Sequence, residues 1–127
     1  MSGGLAPFAA EGLKILPELA GDRLRISLHG TIAVRDPAAL LNPFFDALEE
    51  EAVRSGVATV EADLRGLSFV NSSAIGTLVR WVMRLLARPE GTGYSLVLVY
   101  DRKVSWQRIN VPMMATIAPA VVSATSD

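Results

Sequence analysis

The sequence contains no cysteine. That excludes a disulfide framework, a thiolate nucleophile and a zinc ribbon. Its single histidine, His29, has no second imidazole or thiolate with which to complete a metal site, and it leaves few ways to build a Ser-His-Asp triad. No apolar run approaches the ~18 residues of a membrane span. The opening stretch, MSGGLAPFAAEG, lacks the basic region and the long apolar segment of a secretion signal. Neither GxxxxGK[ST] nor GxGxxG occurs, and Gly91-Thr92-Gly93 reads as a short turn. Together these absences predict a cytoplasmic protein with no metal, no cofactor and no direct membrane insertion.

What is present points to one folded domain. The chain has 127 residues, half of them hydrophobic, and a mean hydropathy of +0.35. That composition excludes disorder. A chain of this size buries about two thirds of its unfolded surface without needing a staple. The net charge of −1 argues against general nucleic-acid binding. The charges are unevenly spread. Residues 1–66 carry 6 basic and 10 acidic side chains, and residues 67–127 carry 6 basic and 3 acidic ones. Either this is ordinary variation or the domain has one basic face.

Residues 1–10, with Gly3, Gly4 and Pro7, read as a loose leader, and residues 11–127 as the domain. Residues 13–16 can form a first strand. After the turn at Gly21-Asp22, Leu24, Ile26 and Leu28 alternate with Arg25, Ser27 and His29, which predicts a half-buried strand and a hairpin. Asp36-Pro37 resembles a helix cap followed by a first-turn proline. Leu41, Phe44, Phe45, Leu48 and Ala52 then recur at helical spacing up to Ser55-Gly56, and Asn42-Pro43 either starts or kinks that helix. Glu49-Glu50-Glu51 diverge by about 100° each, so they read as a solvated acidic face rather than a cation site. Residues 57–64 predict an apolar strand, ended by a turn at Arg65-Gly66. A helix over 72–88 follows, capped by Asn71 or Ser72 and stopped by Pro89. Residues 94–100, with their run SLVLVY, predict a buried central strand. Residues 103–110 read as a loop or weak helix, Pro112-Met113-Met114 as one helical turn or more, and residues 120–122 as a last short strand. Strands alternating with helices predict an α/β domain with a mixed sheet.

Helix 72–88 carries the most information. At about 100° per residue, Ile75, Leu78, Val79, Val82, Leu85 and Leu86 fall on one arc, the expected core face. Ser73, Thr77, Arg80 and Arg84 fall on the opposite arc, with Arg88 and Trp81 beside it. The expected solvent face therefore opens on a serine hydroxyl and continues as an arginine ladder. A serine in the first helical turn sits where backbone N–H groups and the helix dipole favour an anion. The plainer reading is that Asn71, Ser72 and Ser73 only cap the helix and the arginines only solvate it. The segment from Asp101 to Arg108 combines three basic residues with Trp106. It either forms part of a binding surface at the end of the central strand or packs Trp106 underneath as core.

Residues 60–76, VEADLRGLSFVNSSAIG, resemble the signature of STAS domains, particularly those of anti-sigma factor antagonists. That signature is an apolar strand ending in Asp-Leu, a short turn with an apolar pair, and Asp-Ser-Ser/Thr-Gly-Leu-Gly opening a helix. The resemblance is specific over residues 58–88 and looser over 13–124. It implies an α/β fold with a mixed four- to five-strand sheet and helices packed mainly on one side. It implies a non-catalytic protein-binding module of a bacterial signalling switch. The implied partners are a GHKL-type serine kinase that doubles as an anti-sigma factor and a PP2C-type phosphatase that reverses its action.

By position, the resemblance makes Ser73 the phosphorylation candidate. Asn71, Ser72, Ser73, Gly76, Thr77, Arg80 and Arg84 become the partner-binding candidates, and Asp63 a more structural position. Asn71 stands where the signature has aspartate, and Ala74 where it has its first glycine. Asn71 still caps a helix but brings no charge. Two other readings stay open: an adaptor or scaffold subunit of a transporter or signalling assembly, without phosphorylation, and a small-ligand sensor. The expected oligomeric state is a monomer or a weak homodimer.

Overall fold

A computed structural model describes residues 5–87 and 94–126. Their elements run β1 (Phe8–Ala10), β2 (Leu13–Ala20), β3 (Arg23–Ile32), α1 (Pro37–Ser55), β4 (Thr59–Val70), α2 (Ser72–Leu86), β5 (Ser95–Tyr100), α3 (Ser105–Ile117) and β6 (Val122–Ser126). The strands form one six-stranded sheet in chain order. β1, β2 and β3 are antiparallel neighbours, while β3, β4, β5 and β6 run parallel. Each parallel step crosses over through one helix. Right-handed crossovers between successive neighbours place all three helices on the same face.

The sheet therefore has one dry face and one wet face. Ile15, Leu24, Ile26, Leu28, Val60, Ala62, Leu64, Leu96 and Leu98 alternate inward and are buried under the helices. On the open face, β3 and β4 pair Arg25 with Glu61 in register. Arg23 Nη1 lies 2.7 Å from Glu61 Oε1 and Arg25 Nε lies 3.1 Å from Glu61 Oε2. Such half-exposed pairs contribute at most about 1 kcal/mol each, and their larger consequence is a solvated sheet surface. His29 is exposed on this face, as the alternation predicts, with its ring against Gly66.

Local chemistry fixes the ends of these elements. Asp36 Oδ1 accepts the Ala39 N–H at 3.2 Å, with Pro37 in the first turn of α1. Gly56 closes that helix at φ 66, donating to the Ala52 and Val53 carbonyls. α1 runs through Pro43, which neither starts nor ends it. Pro43 is exposed, and the carbonyl left without its usual donor falls at Ala39, another exposed position. At Gly30 (φ 107) a Cβ would collide with the Gly12 carbonyl oxygen, and that same oxygen accepts the Thr31 N–H at 3.1 Å. Glycine is thus required where the β1–β2 turn crosses the end of β3.

Several expectations change. The sheet has six strands, not four or five, because both ends of the chain pair. Phe8–Ala10 lie in the sheet rather than in a loose leader, since Phe8 stacks edge-on against Phe44 with ring centroids 5.9 Å apart. β4 does not turn at Arg65-Gly66. It continues to Val70 through two register shifts against β3. Of the loop and helix alternatives for residues 103–110, the helix forms, and it runs on through Pro112 to residue 117 as one element. Glu51 is buried, not solvated, and bonds Ser55 Oγ at 2.7 Å and Arg54. Arg88, Pro89 and the expected turn at Gly91-Thr92-Gly93 lie outside the described residues.

Candidate functional site

The carboxyl ends of β3, β4 and β5 and the starts of α1, α2 and α3 share one edge of the sheet, the usual place for a site in a parallel α/β layer. β4 delivers α2 to this edge. The Asn71 N–H donates to the Ile32 carbonyl at 2.9 Å, and Ser68 Oγ donates to the Gly30 carbonyl at 3.1 Å. The Asn71 side chain then works in two directions. Its Oδ1 accepts the Ala74 N–H at 2.8 Å, capping α2, and its Nδ2 donates to the Val34 carbonyl at 2.9 Å, tying down the β3–α1 loop. An aspartate would keep the cap but could not donate to Val34. The asparagine thus has a structural role that the signature's carboxylate could not fill.

Ser72 and Ser73 are exposed in the first turn of α2, and neither hydroxyl bonds another group among the described residues. Both are free to react or to be touched, at the positive end of a 15-residue helix. Gly76, one turn on, is half-buried. A Cβ placed there would meet only Arg80 Nη1, at 3.8 Å. The Arg80 guanidinium therefore folds back over Gly76 toward the start of the helix, rather than extending two turns away. Arg80 is exposed and pairs with no carboxylate among the described residues.

The remaining two candidates, Thr77 and Arg84, are engaged within the chain. Thr77 is 2% exposed, and its hydroxyl donates back to the Ser73 carbonyl at 3.1 Å. Arg84 is held by α1, with its Nη2 2.8 Å from Asp46 Oδ1 and 3.3 Å from Glu49 Oε1. Among the described residues, Arg80 is thus the arginine of this face that pairs with no carboxylate. The cause is a rotation of the helix by roughly 70° from the expected wheel. Trp81, expected beside the solvent face, is buried. Its ring stacks on Phe45 at 4.4 Å, and its Nε1 donates to the Tyr94 hydroxyl at 3.2 Å. A large aromatic side chain outweighs Leu86 in choosing the buried arc. Met83 and Leu86 are left exposed, with Ile75 and Val79 half-buried.

The other half of this edge was only partly legible in the sequence. The β4–β5 ladder stops at Asp63 and Val99, so the far side of β4 has no strand partner beyond that point. The first turn of α3 fills the gap. Gln107, fully buried, donates from Nε2 to the Leu64 carbonyl at 2.6 Å and to the Leu67 carbonyl at 2.9 Å, and its Oε1 accepts the Asp101 N–H at 2.8 Å. Trp106 Nε1 donates to the same Leu67 carbonyl at 2.8 Å. Trp106 is half-buried against the core, which agrees with packing it underneath. Nothing in the sequence marks Gln107, because a lone glutamine carries no signal until the gap beside β4 is known. Asp63 is held by Arg65 through Oδ1 at 2.9 Å and Oδ2 at 2.8 Å, and that bonding lowers its pKa against the opposing effect of burial.

An open groove of about 470 Å³ between α1 and α2 is lined by Asn42, Asp46, Arg80, Trp81, Met83, Arg84 and Ala87, and does not include Ser73. Among the described residues, no group of three acidic or histidine side chains could hold a metal ion, and no helix is long and apolar enough to cross a membrane.

No protein-family model matches the chain, and no curated protein matches it. A solved structure does: the crystal structure of an anti-sigma factor antagonist from Mycobacterium paratuberculosis. It is 16% identical over 89% of this chain and 86% of that one, with a TM-score of 0.57. The mixed α/β fold of this chain is that of an anti-sigma factor antagonist.

Proposed function

We propose that the chain is a non-catalytic protein-binding module of a bacterial signalling switch, working in the cytoplasm as an anti-sigma factor antagonist. The observation that carries this reading is the pair of exposed, uncommitted hydroxyls of Ser72 and Ser73 at the dipole-positive start of α2, on a fold shared with such an antagonist. In the unmodified state, the start of α2 docks on a GHKL-type kinase that doubles as an anti-sigma factor. Gly76 leaves room for close approach and Arg80 supplies charge. Transfer of the γ-phosphoryl group of ATP to Ser73 Oγ adds about −1.5 to −2 charge at the centre of that surface and opposes docking. A PP2C-type phosphatase restores it.

The test is incubation with the GHKL-type kinase and ATP, followed by intact-mass and peptide mapping. A gain of one phosphoryl group on Ser73, absent in Ser73→Ala, supports the switch. No gain removes the phosphorylation step.

One observation favours a second reading. Asn71 brings no carboxylate beside Ser73, and its amide is committed to Val34 and Ala74. An adaptor subunit needs the docking surface but no phosphorylation. Co-purification with an integral membrane transporter instead of a soluble kinase distinguishes it.

A further inference from the structure

We propose that this edge docks an acidic protein surface, and that the first turn of α3 supplies a second contact patch beside Ser73. The inference rests on reading the start of α2 as a protein-docking surface, but not on phosphorylation of Ser73.

The cations sort into two groups. Arg23, Arg25, Arg54, Arg65 and Arg84 each pair with a carboxylate. Arg35, Arg80, Arg102, Lys103 and Arg108 pair with none among the described residues. Lys14, on β2, is the sixth such cation among the described residues and lies on the sheet. The five collect at one edge. Arg35 precedes α1, Arg102 and Lys103 precede α3, Arg108 lies in the first turn of α3, and Arg80 folds back toward the start of α2. Three helix N-termini add positive dipole ends. The carboxylates here are few and mostly committed. Asp36 Oδ1 accepts the Ala39 N–H, Asp101 Oδ1 accepts the Lys103 N–H at 2.9 Å, and Glu11 stands on the β1–β2 turn.

Two exposed apolar side chains stand among these charges: Phe69, 51% exposed, and Ile109, 65% exposed. Apolar anchors ringed by unpaired cations suit a protein surface that offers both carboxylates and apolar side chains. A nucleic acid offers little to Ile109, whereas a protein surface can cover it. The two patches are held at fixed spacing, because Gln107 and Trp106 bond the α3 turn directly to the Leu64 and Leu67 carbonyls of β4. A rigid surface loses little entropy on docking.

The test is an NMR titration of the full chain with a synthetic peptide of repeated Glu-Glu-Leu. Expected are amide shifts at residues 68–73 and 102–109, and a loss of about tenfold in affinity for the triple variant Arg102→Glu, Lys103→Glu, Arg108→Glu. Arg80→Glu, made separately, weakens binding in the same direction, while Lys14→Glu leaves it unchanged. Shifts on the open face of the sheet, unchanged affinity in the folded triple variant, or equal competition by duplex DNA overturns the inference. Because the peptide assay involves no kinase, failure of the Ser73 phosphorylation assay leaves its outcome unaffected.

Discussion

The amide of Asn71 joins α2 to the loop before α1 by donating to the Val34 carbonyl at 2.9 Å. The same side chain caps α2 through Ala74. Asn71→Asp keeps the cap and gains from the helix dipole, but sets a carboxylate against the Val34 carbonyl. We expect a net destabilisation of about 1 kcal/mol. Asn71→Ala loses both bonds and costs about 2 kcal/mol. Urea denaturation of the two variants checks the order, and an Asp variant more stable than the parent contradicts the role given to Val34.

Gly76 separates stability from binding. It lies inside α2, and a Cβ there meets nothing closer than Arg80 Nη1 at 3.8 Å. Gly76→Ala is therefore expected to stabilise the chain by about 1 kcal/mol through helix propensity alone. If a partner lies against this glycine, the same change weakens docking. A rise in urea midpoint together with a loss of affinity is the expected pair of results.

Gln107 closes the gap beside β4. Gln107→Leu leaves the Leu64 carbonyl and the Asp101 N–H without their bonds. Two or three interdependent buried hydrogen bonds put the cost at about 2–4 kcal/mol. Amide exchange of residues 64–70 is expected to accelerate more than exchange in α1, because only the former lose their brace.

Acid weakens the fold through two carboxylates. Glu51 has a lowered pKa chiefly from the Ser55 hydroxyl, opposed by burial and helped by Arg54. Asp63 has a lowered pKa chiefly from the Arg65 guanidinium, opposed by burial. A carboxyl group whose folded pKa lies below its unfolded value adds stability above roughly pH 4, and loses it as pH falls through the folded value. The melting temperature is therefore expected to drop on acidification below roughly pH 4. Ser55→Ala is expected to flatten that drop. A slope unchanged in Ser55→Ala contradicts the assignment to Glu51.

The legible parts of this protein are those where local chemistry and tertiary packing agree. The alternation of Leu24, Ile26 and Leu28 gives β3, Asp36-Pro37 gives the start of α1, and Asn71 gives the start of α2. What failed to show depends on neighbours distant in sequence. The α2 wheel was turned because Phe45 and Tyr94 receive Trp81, and neither contact is written in α2 itself. That turn buried Thr77, and the carboxylates of α1 claimed Arg84. Helix α3 is not continuous in the sequence pattern because Pro112 lies inside it and its apolar side chains follow no sharp stripe, although Val111 and Met114 are buried. Glu51 looked solvated because its partners lie one turn away on the same helix, hidden from a reading of consecutive acidic residues.

The central claim is that a partner protein seats on the start of α2 around Ser73 and Gly76. The most direct measurement is calorimetric titration of the GHKL-type kinase with the parent chain, Ser73→Glu and Gly76→Ala. We predict that the parent binds, and that both variants, folded and no less stable, lose about tenfold or more in affinity, equivalent to at least ~1.4 kcal/mol. Parental affinity in both variants would contradict the claim and place the docking surface elsewhere on the molecule.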